Sequence, residues 1–249
     1  MKTGVRSATQ LALLDDPATD LGAWQVRTSD RARRLTVRIV PGGGVEIVVP
    51  RDTRPRVVEQ FVARYRPWID RKVAQYQPLV PVARDDLPQI IHFRASGDCW
   101  PVEPLDAACA MHVAVDDGRL RLVGDRSSST AARQALQRFM VEYAHAVLVP
   151  RLEQLSAEHR LPFAMAQVRR QRTRWGSCSR RGTISLNACL LFQSPAVVRY
   201  LLLHELAHTR HMNHSRRFWG LVAQLEPCWR EFDAELSHGW REVPSWALR

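Results

Sequence analysis

The stretch that most constrains this chain is residues 194–208, which read Ser-Pro-Ala-Val-Val-Arg-Tyr-Leu-Leu-Leu-His-Glu-Leu-Ala-His. Ser194-Pro195 predicts a helix start: a serine hydroxyl accepts from the free amides of the first turn, and proline has no amide to leave unpaired there. The helix that follows is apolar almost all round, so it belongs in the interior of a folded domain. Such a helix has little reason to carry His204, Glu205 and His208 except as a site, because buried polar groups without partners are costly. Two histidines four residues apart share a face about 6 Å apart along the axis, so both rings can reach one zinc ion at ~2.0–2.1 Å. Glu205 sits where its carboxylate can reach the water of that ion rather than the ion itself.

A catalytic zinc usually keeps three protein ligands and one open position, so a third is needed. His211 and His214 are the candidates. On an unbroken helix His211 would lie about 10.5 Å of rise beyond His204, too far for both to hold one ion. It therefore reads as structural or as a partner of a ligand. His214 escapes that geometry if Met212-Asn213 reverses the chain, with Asn213 in the left-handed conformation that asparagine tolerates. Ser215 predicts a further helix, with Phe218, Trp219, Val222 and Leu225 on one side to clamp the turn. After Pro227 a third segment runs from Trp229 to Leu236. Glu226, Asp233 and Glu235 are equal candidates to meet the outer nitrogens of the histidines.

Residues 1–23 lack periodicity and read as a loose leader, too short in its apolar run for a signal peptide. Residues 24–126 read as a β-rich, antiparallel region with one helix. Leu35, Val37 and Ile39 alternate with polar residues, Pro41-Gly42-Gly43-Gly44 turns the chain, and Val45, Ile47 and Val49 alternate again. Val57, Val58, Phe61, Val62, Tyr65, Trp68, Ile69 and Val73 then recur at helical spacing. A proline-rich stretch from Gln77 to Pro88 reads as a linker. Strands are expected at Ile90–Phe93, His112–Val115 and Leu120–Val123, the last two joined by Asp116-Asp117-Gly118.

Residues 127–240 form the expected second region, followed by a tail over 241–249. Ser127 to Thr130 supply caps for a long amphipathic helix that Pro150 kinks and Leu161-Pro162 ends. Strands are expected at Gln167–Arg172 and Thr183–Leu186. Taken together the elements give an α+β fold.

Three blocks of this sequence resemble the YgjP-like metallopeptidases, which are related to the SprT-like and WLM proteases. They are RTRWGSCS at Arg172–Ser179, GTISLN at Gly182–Asn187 and HELAHTRHMNHSRRFW at His204–Trp219. The resemblance extends more weakly over most of residues 24–238. It implies a zincin-like domain with the active-site helix on a small sheet, His204, His208 and His214 as zinc ligands, and Glu205 as general base. It also implies a strand beside the helix that pairs with an extended peptide, for which Thr183–Leu186 is the candidate. Arg174 and Asn187 are candidates for stabilising the oxyanion. The glycine that metzincins place seven residues after the first histidine is missing here, so the turn before His214 must use other residues.

The expected reaction is peptide hydrolysis, in which Glu205 takes a proton from a zinc-activated water. Lys and Arg outnumber Asp and Glu by 36 to 25, an excess that also suits an anionic substrate such as a nucleoside triphosphate, or a protease associated with nucleic acid. The five cysteines show no paired spacing, which excludes a disulfide framework and fits a reducing cytoplasm. No stretch approaches the ~18 apolar residues of a membrane span.

Overall fold

The computed structural model describes residues 24–40, 44–76, 87–125 and 127–248. The expected leader, the Pro41-Gly42-Gly43 turn and most of the proline-rich stretch lie outside the described residues. The chain divides into two compact units, one within Met1–Gln77 and one within Pro78–Arg249.

In the first unit β1 (Trp24–Ser29), β2 (Thr36–Val40) and β3 (Gly44–Pro50) form a sheet in the order β1-β3-β2. The β2–β3 pair is antiparallel, as the alternation predicts, with Val37 opposite Ile47 and Ile39 opposite Val45. The inward side chains of that pair meet Val58 and Ile69 of α1 (Pro55–Tyr76) in one apolar cluster. The unit departs from the expected antiparallel arrangement at β1, which runs parallel to β3. Strand direction depends on which distant segment supplies the partner, and alternation within one strand carries no such information.

The second unit begins with a sheet of β4 (Ile90–Phe93), β5 (Asp98–Asp106), β6 (His112–Asp116) and β7 (Arg119–Gly124), ordered β4-β5-β7-β6. The sequence hides β5 because Pro101 and Pro104 interrupt it, and proline removes ladder donors. Asp117 and Gly118, at φ 46° and 70°, make the tight β6–β7 turn. This sheet packs on α2 (Ser129–His159): Phe93 stacks on Tyr143 at 5.0 Å, and Arg138 donates to the Met111 carbonyl at 3.0 Å. Strands that the sequence groups with the N-terminal half therefore share a core with the helices that follow.

Ser128 opens α2 by accepting from the Ala131 amide, and the helix continues through Pro150 to a left-handed Arg160. It buries Leu136, Met140, Leu148 and Leu152. Next come β8 (Met165–Arg169), β9 (Gly176–Cys178) and β10 (Thr183–Asn187), ordered β8-β10-β9. The expected edge strand, Thr183–Leu186, is thus the middle strand, parallel to β8 and antiparallel to β9. The edges are β8 and β9, the latter three residues long. Helices α3 (Pro195–Ala207), α4 (Arg216–Leu225) and α5 (Trp229–His238) complete the unit with α6 (Ser245–Leu248), whose Trp246 and Ala247 are buried where the sequence suggests a tail. The architecture is mixed α+β. No helix among the described residues is long and apolar enough to cross a membrane.

Candidate metal centre

Ser194 caps α3 by accepting from the Val197 amide at 3.4 Å, and Pro195 takes the first helical position. Nine residues of the helix are buried, among them Leu201, Leu202, Leu203 and Leu206. This apolar packing fixes the rotation of α3 and turns the His204 and His208 rings toward the same side. Glu205 lies between them in sequence and is only 4% exposed.

The chain leaves α3 at His208, where the His211 amide still bonds the Ala207 carbonyl and the Thr209 hydroxyl donates to Leu206 at 2.8 Å. It then turns without a left-handed asparagine: among the described non-glycine residues only Asp117 and Arg160 have positive φ. Ser215 starts α4 by accepting from the Phe218 amide. Phe218 is fully buried, stacks on His208 at 4.4 Å and meets the edge of His214 at 4.8 Å. Trp219 lies nearly parallel to the His214 ring at 5.4 Å and stacks on Trp229 of α5 at 4.4 Å. Aromatic packing thus takes the place of the expected turn residue in carrying His214 back toward α3.

One donor atom from each of His204, His208 and His214 lies within 4.8 Å of the other two. The Nε2 atoms of His204 and His214 are 3.2 Å apart. Two nitrogens bound tetrahedrally to one zinc at ~2.0–2.1 Å sit ~3.4 Å apart, so the donor set matches a small divalent cation. Charge agrees with this. Burial, and then the neighbouring His208 and His214, push the His204 ring down to about 3, and burial lowers His208 as well. Both rings are neutral at ordinary pH, which is the form that ligates a metal.

The outer ring nitrogens are also held. His208 Nδ1 donates to the His211 carbonyl at 3.0 Å, so His211 contributes through its backbone and not its ring. His204 Nδ1 faces the Tyr200 hydroxyl at 3.4 Å, and that hydroxyl donates to Asp233 at 2.7 Å. Of the three acids that are candidates from sequence, Asp233 is therefore the one linked to a histidine, through Tyr200, which the apolar pattern of the helix does not single out. Glu235 accepts from Ser194 and Glu226 pairs with Arg199. The i, i+4 spacing of Tyr200 and His204 was the available signal.

Beside the histidines stands β9. A Cβ on Gly176 would come within 2.6 Å of Glu205 Oε1, so glycine is required for the strand to approach the carboxylate this closely. Burial raises the Glu205 carboxyl to about 8 against a smaller opposing effect of Arg174, and Oε2 has no protein partner. Burial, and then Glu205, raise the Cys178 thiol to about 11, which leaves it protonated and inert as a nucleophile. Asn187 cannot serve an oxyanion. It is fully buried, its amide donates to the Gln171 and Arg174 carbonyls at 2.8 and 2.7 Å, and its oxygen accepts from Cys189. Its work is to tie the 171–175 loop to the end of β10. Trp175 in that loop stacks on Trp240 at 4.0 Å.

A sequence model described as the YgjP-like metallopeptidase domain matches residues 33–239. No curated protein sequence matches the chain. Among solved structures, the metallopeptidase zymogen abylysin of Pyrococcus abyssi aligns with 25% identity over 34% of this chain and 87% of that one, at a TM-score of 0.32. The family match runs through both sheets of the second unit and every residue of the histidine cluster, and the chain belongs to the YgjP-like metallopeptidase domain family.

Proposed function

We propose that this metallopeptidase is a zinc enzyme in which His204, His208 and His214 hold the ion and Glu205 is the general base of peptide hydrolysis. The observation that supports the reading is the convergence of three imidazole nitrogens within 4.8 Å, next to a carboxylate that is almost wholly buried. A zinc ion bound there supplies Lewis-acid polarisation of a carbonyl, a water acidified toward neutrality, and a charge that favours the ionised form of a nearby carboxylate.

The remaining work falls to the chain. Glu205 takes a proton at Oε2, the oxygen without a protein partner, and passes it to the departing amine. Burial raises the carboxyl of the metal-free site to about 8, and the same desolvation helps the side chain hold the proton once it has been taken. Tyr200 and the His211 carbonyl hold the first two rings so that their inner nitrogens face the same point. The free edge of β9, which among the described residues pairs only with β10, offers backbone groups to an extended peptide directly beside Glu205.

Elemental analysis of the purified protein, combined with a peptide-cleavage assay, tests this reading. Glu205→Gln keeps stoichiometric zinc and loses turnover, whereas His204→Ala loses both. Full activity in the Gln variant, or no zinc taken up by the wild-type protein when it is supplied in excess, rejects the proposal.

A further inference from the structure

Charge along the chain is concentrated around the histidine cluster. Residues 159–225 contain eleven arginines, no lysine and a single acidic residue, Glu205. The whole chain has 36 basic and 25 acidic side chains, so this stretch holds nearly all of the excess and the remainder is close to balance. Glu205 is buried, and the surface built from β8 to α4 therefore presents guanidinium groups with no carboxylate of its own.

Elsewhere some exposed arginines are matched by carboxylates, while others, such as Arg31, Arg33 and Arg34, have no ion pair among the described residues. Arg27, Arg51 and Arg94 lie 3.2–3.3 Å from Glu46, Asp30 and Glu242. Within 159–225 the lack of acidic neighbours leaves a run of them: Arg172, Arg174, Arg180, Arg181, Arg216 and Arg217 are exposed, and none is within ion-pair distance of a carboxylate among the described residues. Their placement is ordered. Arg172 and Arg174 lead into β9, Arg180 and Arg181 lie between β9 and β10, and Arg216 and Arg217 open α4 just after His214. Gly176 of β9 lies against Glu205, and the charge of Arg174 acts on the same carboxylate. At ~3.3 Å of rise per extended residue, Arg172, Arg174, Arg180 and Arg181, two to five residues from Gly176, lie at most ~7–17 Å from it along the chain.

We propose that the substrate of this site is an acidic stretch of polypeptide, bound extended along β9, with Asp or Glu side chains two to five residues from the scissile bond meeting Arg172 and Arg174 on one side and Arg180 and Arg181 on the other. This rests on the peptidase reading and names its substrate class. Arginine, which supplies all but two of the basic side chains of the whole sequence, suits carboxylates here, because the planar guanidinium fork binds both carboxylate oxygens where an ammonium offers a point charge. A polypeptide is favoured over a nucleic acid because the charges flank a strand edge, whose amides and carbonyls pair with a peptide backbone.

The test begins with zinc-loaded full-length protein and a mixed peptide pool, which locates cleaved bonds by mass spectrometry. Paired peptides that differ only by Glu or Gln at the flanking positions are then compared. The acidic member is expected to show kcat/KM about tenfold or more above the neutral one at low salt, with the gap closing near ~0.5 M salt. The double variant R180E/R181E removes or inverts the preference without changing zinc content. Cleavage indifferent to charge overturns the inference and leaves the peptidase reading standing. Failure to cleave any peptide with zinc bound overturns the peptidase reading instead, and fluorescence anisotropy with labelled acidic and neutral peptides then decides the inference. Selective binding of the acidic peptide, abolished by R180E/R181E, supports it; equal binding, or displacement of the acidic peptide by short DNA at lower concentration than by unlabelled peptide, overturns it.

Discussion

Replacing Glu205 by glutamine makes the metal-free protein more stable, and by an amount that depends on pH. Burial raises the folded carboxyl from 4.5 to about 8. Below pH 4.5 both folded and unfolded chains carry the proton, and the carboxyl does not weaken the fold. Between 4.5 and about 8 the unfolded chain gives up its proton while the folded chain keeps it, so wild-type stability falls steadily as pH rises. Above 8 the deficit is constant. At about 1.4 kcal/mol per unit, the full deficit is on the order of 5 kcal/mol, a large part of the stability of an ordinary domain. Glutamine has nearly the same shape and no charge, so the variant escapes it. Urea denaturation in the presence of a chelator should therefore show a gap of under about 1 kcal/mol at pH 5, widening to several at pH 8.5 in favour of the variant. Saturating zinc should narrow the gap, since a bound cation favours the ionised wild-type carboxylate. An equal gap at both pH values, or a variant less stable than wild type at pH 8.5, refutes the assignment of Glu205 as a desolvated carboxyl.

Gly176→Ala places a methyl group within 2.6 Å of Glu205 Oε1 and must displace either β9 or the carboxylate; turnover is expected to fall about a hundredfold, as for a misplaced catalytic group, with zinc content unchanged by elemental analysis. Tyr200→Phe removes the partner of His204 Nδ1 and leaves Asp233 without its donor. Zinc affinity measured by chelator competition should drop about 10- to 100-fold, while Asp233→Asn gives a smaller loss. His214→Ala should lower zinc occupancy with little change in the urea midpoint of the metal-free protein, because His214 is exposed and fills no core; a large loss of stability would show that its contacts with Phe218 and Trp219 hold α4 in place.

The parts of the fold that the sequence revealed are those written in local spacing. Ser194-Pro195 announces α3 because both the cap and the missing amide act within one turn, and the β2–β3 hairpin is visible because its two strands are neighbours. What stayed hidden depends on distant partners. Nothing near Thr183–Leu186 says that β8 and β9 will enclose it, although its fully buried Ile184 and Leu186 suit a central strand. β9 is only three residues long and carries a glycine, so it leaves no periodic trace. The histidine cluster was legible for a related reason. Two of its rings share one helical turn, and only His214 needed a bend, whose direction the sequence supplied but whose cause it did not: Phe218 and Trp219 pack against the ring, and Asn213 adopts no special conformation. Tyr200 looked like core because most of it is core, and only the hydroxyl tip, linked to Asp233, betrays its second role.

That link reaches forward along the chain. His204, His208 and His214 lie within eleven consecutive residues, but the carboxylate behind Tyr200 comes nineteen positions after the last of them, on α5. A nascent polypeptide that has emerged only as far as α4 already owns every imidazole yet lacks the anchor that steadies the first. The brace on the His204 ring is therefore complete only once α5 has docked, so the last helices of the unit finish a cluster whose rings were all supplied before them.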